Sequence, residues 1–178
     1  ILLNHKNLKK NQGPDVFRHF MKRVDKSGGK VFFMGSADYV LENIRIRAAN
    51  EFPNVRIDYY SPPFKPILNE QDNRIIVKKI NSFKPDIVFV GMTCPKQEKW
   101  SYSIKDQLNT KLICSIGAVF DWYGGSRREI KPIWWRLRLG WLKRVIDRPE
   151  ILRRYPYIFI FFWHLTKRLM GFKISDDN

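Results

Sequence analysis

Residues 86–98 read Asp86-Ile87-Val88-Phe89-Val90-Gly91-Met92-Thr93-Cys94-Pro95-Lys96-Gln97-Glu98: a short apolar strand that ends at a glycine and runs directly into the polar start of a helix. In an open parallel sheet the carboxyl ends of the strands face a crevice in which ligands bind, so a strand ending in this way marks a ligand loop. The pattern recurs at Leu112-Ile113-Cys114-Ser115-Ile116, followed by Gly117-Ala118-Val119-Phe120-Asp121. Here again a glycine would let the backbone approach a ligand, and a polar side chain stands beyond it in a second loop.

Upstream, Gly13-Pro14-Asp15 opens a helix whose apolar stripe is Val16, Phe17, Phe20, Met21 and Val24. Asp15 suits the cap or first turn, where amides and the helix dipole favour a carboxylate. Gly28-Gly29 ends that helix, and Val31–Met34 is a buried strand closed by Gly35-Ser36. A helix on Val40, Ile44 and Ala48 leads to a strand at Val55–Tyr60 and then to the proline-rich Ser61-Pro62-Pro63-Phe64-Lys65-Pro66, which cannot be helical inside. A helix carrying Ile75, Ile76, Lys79 and Ile80 precedes the strand at Asp86–Val90, and a helix over Pro95–Leu108 precedes the strand at Leu112–Ile116. Continuous apolar strands alternating with helices predict an α/β fold, a Rossmann-like parallel sheet covered on both faces. Gly35, Gly91 and Gly117 should then open onto one edge. Only Gly35-Ser36-Ala37 follows the first strand, so the dinucleotide-binding G-x-G-x-x-G is absent.

The chain has 178 residues, 44% of them hydrophobic and 15% aromatic, which is enough for one domain with a substantial core. It begins at Ile1 with no secretion signal, and is expected to be a fragment of something longer. Lys and Arg number 33 against 17 Asp and Glu, a formal charge of +16, which points to polyanions, phosphorylated ligands or an anionic membrane surface. Cys94 and Cys114 lie at or beside strand ends and read as reduced thiols rather than a disulfide framework. His5, His19 and His164 show no metal-ligand spacing.

Character changes at the end of a 1–131 core. The 132–178 tail begins with Pro132, Ile133, Trp134 and Trp135, and its first helix is apolar over most of its circumference; Tyr157, Phe159, Phe161, Phe162 and Trp163 follow, flanked by Lys167, Arg168 and Lys173. Between Arg127 and Arg154 ten basic residues face three acidic ones, a net of +7. Aromatics beside cations suit a helix lying in a membrane interface; the alternative is a helical hairpin packed on the sheet or on another subunit. The longest apolar run, Tyr157–Trp163, is seven residues, well short of the roughly 18 of a membrane span.

Three segments together resemble the WecG/TagA/CpsF glycosyltransferase family: Gly91–Glu98 with Trp100, Gly117–Asp121 with Gly125, and Arg144-Val145-Ile146-Asp147-Arg148-Pro149-Glu150-Ile151-Leu152-Arg153-Arg154-Tyr155. The family's G-x-G-x-P-x-Q-E loop, G-x-x-F-D loop and R-Y tail occur in that order, and Gly13-Pro14-Asp15-Val16-Phe17 looks like its G-x-D-L/V-F helix start. The chain departs from the pattern at Thr93, where glycine is usual, and at Leu139-Gly140-Trp141, where G-L-E-W is expected.

The resemblance implies transfer of N-acetylmannosamine, or a close relative, from a UDP-sugar donor to a polyprenyl-diphosphate-linked acceptor in cell-surface polysaccharide or teichoic-acid synthesis. It implies an inverting enzyme, peripheral to the cytoplasmic face of the bacterial plasma membrane, with no cofactor. Displacing UDP requires compensation of negative charge on the departing diphosphate, which cations and backbone amides can supply. No D-x-D carboxylate pair occurs in the chain, and metal-independent chemistry is expected. The candidates for that compensation are Arg144 and Arg154, with Arg148 and Arg153 behind them; for each, a solvated basic face is the competing reading. Substrate-binding candidates are Gly35, Ser36, Gly91, Pro95, Gln97, Glu98, Gly117 and Asp121. Gln97 could donate to a sugar hydroxyl or phosphate, or could cap its helix; Asp121 could accept from uracil or ribose, or could be a turn residue. The family's general base is an aspartate in a D-G element that nothing between Ile1 and Gly13 matches, so it is expected upstream of Ile1 and the chain is expected to be catalytically deficient.

Two other readings remain. A nucleic-acid-binding module would use the charge and the tryptophans for phosphate contact and stacking; it leaves P-K-Q-E and F-D unexplained, and no nucleic-acid partner is expected. An inactive membrane-docked scaffold would bind liposomes without nucleotide. The apolar tail also opens a route to homo-oligomers.

Overall fold

The computed structural model describes residues 12–125, 133–134, 145–146, 160 and 163–166. Two compact units divide the chain, 1–128 and 129–178. The first contains α1 (Gly13–Ser27), β1 (Lys30–Met34), α2 (Asp38–Glu51), β2 (Arg56–Tyr60), α3 (Glu70–Phe83), β3 (Ile87–Val90), α4 (Lys96–Ile104), β4 (Leu112–Ser115) and α5 (Gly117–Tyr123). Of the second, the described residues are helical, with Ile133, Ile146, Ile160, Trp163 and Leu165 exposed. Among the described residues no helix is long and apolar enough to cross a membrane.

The four strands form one parallel sheet in the order β2-β1-β3-β4. Alternation of side chains along a strand explains why a continuous apolar run is needed at its centre. In β1, Val31 and Phe33 enter the core formed with α1, α2 and α5, whereas Phe32 and Met34 enter the one formed with α3 and α4. β3 repeats the division, with Ile87 and Phe89 on the first face and Val88 and Val90 on the second. Every one of these eight residues is at most 6% exposed. The expected α/β sheet with helices on both faces is therefore what the chain forms.

Local chemistry sets the ends of the elements. The Gln12 N–H donates to the Asp15 carboxylate at 3.0 Å, so Asp15 serves the first turn of α1, and Gly28 ends that helix at φ 63°. Asn69 and Asp72 cap α3 reciprocally: the Asp72 N–H donates to Asn69 Oδ1 at 2.8 Å, and the Asn69 N–H to Asp72 Oδ2 at 3.1 Å. α3 carries Ile75, Ile76, Lys79 and Ile80 as expected, with Ile76 and Ile80 on its buried face and Ile75 exposed. One expectation needs correction. The segment after β4 is a helix and no loop, because Val119, Phe120 and Tyr123 recur at helical spacing and all three are buried in the first core.

Candidate functional site

The order β2-β1-β3-β4 reverses direction between β1 and β3, and in open α/β sheets the crevice outside the carboxyl ends at such a reversal is where ligands bind. The segments after β1, β3 and β4 all leave from this edge. Gly35 and Gly91 lie at the reversal itself.

These glycines fit against one another. Gly35 has φ 106°, and a Cβ there would stand 2.8 Å from the Gly91 carbonyl oxygen. A Cβ at Gly91 would stand 2.4 Å from the Phe120 ring, and one at Gly117 only 2.3 Å from the Met92 carbonyl oxygen. The absent side chains at these three positions allow the loops to pack on each other and on α5. Ser36 also has a positive φ, 70°, and its carbonyl accepts from Ser61 Oγ at 2.8 Å.

Gln97 joins the two motif segments. It is buried, at 7% exposure, although it lies in the first turn of α4. Its Oε1 accepts from the Gly117 N–H at 2.9 Å, and its Nε2 donates to Glu98 Oε1 at 2.8 Å. Glu98 is exposed, and that amide hydrogen bond is the main cause holding its carboxyl below the ordinary value. Pro95 is exposed, and its carbonyl accepts from the Lys99 N–H at 3.1 Å. Asp121 is partly buried on α5, four residues beyond Gly117, which is about 6 Å of helical rise. The structure thus brings Gln97 against the helix that carries Asp121.

Arg144, Arg148, Arg153 and Arg154 lie outside the described residues. Among the described residues no cluster of three or more His, Cys, Asp or Glu could hold a metal ion. Cys94 and Cys114 are free thiols, the first exposed and the second raised in pKa by burial.

Several residues that build this edge were given no role from sequence, although Phe120 and Lys96 stand inside the motifs. Phe120 covers Gly91. The Asn43 carboxamide, on α2, donates to the Gly124 carbonyl at 3.1 Å and so holds the end of α5. Lys96 Nζ donates to the Lys65 carbonyl, tying the β3–α4 segment to the proline-rich loop. The partners in the last two pairs are separated by 81 and 31 positions, and no local pattern announces either.

Fold and edge together define an open parallel α/β domain whose two glycine-led motif segments meet at the carboxyl edge of the sheet. A family model described as "Glycosyl transferase WecG/TagA/CpsF family" matches residues 1–174, and the chain belongs to that family. Among its relatives is an N-acetylglucosaminyldiphosphoundecaprenol N-acetyl-beta-D-mannosaminyltransferase of Staphylococcus aureus strain MRSA252, 27% identical over 155 residues, or 87% of this chain and 59% of the relative. The protein of the same description from strain NCTC 8325 is 26% identical over the same shares. The match thus spans about three-fifths of these relatives' length.

Proposed function

We propose that this chain is the nucleotide-sugar-binding part of a glycosyltransferase that moves N-acetylmannosamine, or a related sugar, from a UDP-sugar to a polyprenyl-diphosphate-linked acceptor. The observation that carries the reading is the Gln97–Gly117 hydrogen bond, which knits both family motifs together at the carboxyl edge of the sheet, beyond β3 and β4. Family membership and the relatives' names support the sugar and the lipid-linked acceptor.

In this reading the donor lies across the carboxyl edge between β1 and β3. The first turn of α2 follows Ala37, which makes no side-chain cap hydrogen bond, so its amides and dipole favour the diphosphate. The second hydrogen of Gln97 Nε2 and the Glu98 carboxylate meet sugar hydroxyls, and Asp121 accepts from uracil or ribose. Arg144 and Arg154 compensate the charge on departing UDP without a metal, and the anomeric centre inverts. The enzyme works at the cytoplasmic face of the bacterial plasma membrane, on cell-surface polysaccharide or teichoic-acid precursors.

Calorimetric titration with a panel of UDP-sugars tests this. UDP-N-acetylmannosamine should bind more tightly than its epimers, and Asp121→Ala should weaken UDP itself by about tenfold or more, the loss of one buried hydrogen bond to an ionised group. Absence of any UDP-sugar binding, together with tight and steeply salt-dependent binding to mixed-sequence RNA, would replace the reading with the nucleic-acid one.

A further inference from the structure

The proline-rich loop after β2 is a rigid projection that holds apolar side chains in solvent. Phe64 is fully exposed, at 106%, and Ile67 is 83% exposed, while the adjoining Leu68 is buried. Nothing about the backbone is slack. Pro62, Pro63 and Pro66 fix their φ angles, and the Lys65 N–H donates to the Pro63 carbonyl at 2.9 Å, closing a three-residue turn with Phe64 at its apex. Three ties anchor the stem. Ser61 Oγ holds the Ser36 carbonyl at 2.8 Å, the Lys65 ammonium meets the Asp72 carboxylate at 2.9 Å, and Lys96 Nζ holds the Lys65 carbonyl. A mobile loop could fold its phenylalanine inward; this one is braced outward.

We propose that this loop is a bilayer contact, with Phe64 and Ile67 entering the boundary between headgroups and acyl chains and setting the carboxyl edge of the sheet against the membrane. The inference rests on the proposed transfer to a lipid-linked acceptor. Ser36 and Lys96, which tie the loop down, belong to the segments after β1 and β3, so the loop that carries Phe64 is fastened to the segments that build the candidate site. An acceptor carried on a polyprenyl diphosphate lies in a bilayer, and a chain with a net charge of +16 is attracted to an anionic one. A second copy of the chain fits less well. Two side chains of this kind bury about 350 Å², whereas a stable dimer needs roughly 800 Å² from each partner.

The test uses the full chain in flotation with vesicles of phosphatidylcholine, alone and with a minority of phosphatidylglycerol. Joint replacement by Phe64→Ser and Ile67→Ser should weaken partitioning about tenfold or more on both vesicle types, because the lost contribution is apolar. Binding of UDP-sugar in lipid-free buffer should not change. A second variant, Phe64→Trp, should show emission beyond the parent's that shifts to the blue on vesicles and is quenched by brominated acyl chains. Unchanged partitioning with an unquenched Trp signal would overturn the contact. So would loss of self-association without lipid, in Phe64→Ser, at constant vesicle binding, which would assign the loop to a second copy. If the new Trp is quenched but the parent binds no UDP-sugar, the transfer reading falls and the bilayer contact stands.

Discussion

Replacing Gln97 by leucine preserves most of the volume of a side chain that is 7% exposed while deleting both of its hydrogen-bonding ends. The Gly117 N–H loses its acceptor at 2.9 Å, in a spot already crowded by the Met92 carbonyl. A buried amide left unsatisfied costs about 1–3 kcal/mol. For a chain of this size each kcal/mol lowers the midpoint of thermal unfolding by roughly 2–4 °C, so Gln97→Leu should melt about 2–12 °C below the parent. Gln97→Glu is the discriminating partner. Its carboxylate can still accept from Gly117, but it loses the donor to Glu98 and sets a second carboxylate, at a position only 7% exposed, beside that of Glu98, whose own exposure to solvent screens the repulsion. The expected order is parent, then Glu, then Leu, measured by calorimetry near neutral pH. Glu98 supplies an independent readout. Gln97 donation is the main cause of its lowered pKa, so in Gln97→Leu its carboxyl should titrate closer to the ordinary value by NMR. Equal melting of the Leu variant and the parent, with Glu98 unmoved, would refute the idea that this carboxamide locks the two segments together.

Alanine at Gly117 or Gly35 should destabilise by about 2–4 kcal/mol in urea unfolding, because the added Cβ meets backbone that cannot swing away, at 2.3 Å and 2.8 Å respectively. Gly125→Ala is the control: φ is 74° but nothing lies within 4 Å, so the cost should stay near 1–2 kcal/mol. Asp86 and Asp72 are both held below the ordinary 3.8, chiefly by Lys111 and Lys65 respectively. A lowered folded pKa contributes stability that is complete above the unfolded value, about pH 4, and is lost as pH falls through the folded one. The Asp86→Asn, Asp72→Asn double variant should therefore trail the parent at pH 7 and converge on it in acid; a gap independent of pH would contradict the assignment. Asn73→Ala removes the acceptor 2.9 Å from the buried Trp100 indole N–H and should cost about 1–3 kcal/mol by urea unfolding, with little loss if that bond is dispensable.

The sheet was legible because its central strands are short unbroken apolar runs, and a strand covered on both faces tolerates nothing else. Each predicted strand is present, with ends within one residue of those expected. The Gly117–Asp121 segment was harder. It opens α5, Gly117–Tyr123, whose seven residues with a leading glycine resemble a loop locally, and helix forms there because Val119, Phe120 and Tyr123 find a core assembled from α1, α2, β1 and β3. Gln97 was legible as a residue of consequence, but its partner was not, because Gly117 lies 20 positions away and comes within reach only when β3 and β4 pair in register.

By itself the amino-acid order determined the alternation of strands and helices, the glycines at the ends of three strands, and a strongly cationic balance. Those properties are local or additive: periodicity, turn chemistry and charge need no partner to be read. The order of the strands, the glycines nested against one another and the outward brace on Phe64 were decided only by tertiary structure. Each is a contact between residues far apart in the chain, whose distance is set by how whole elements pack.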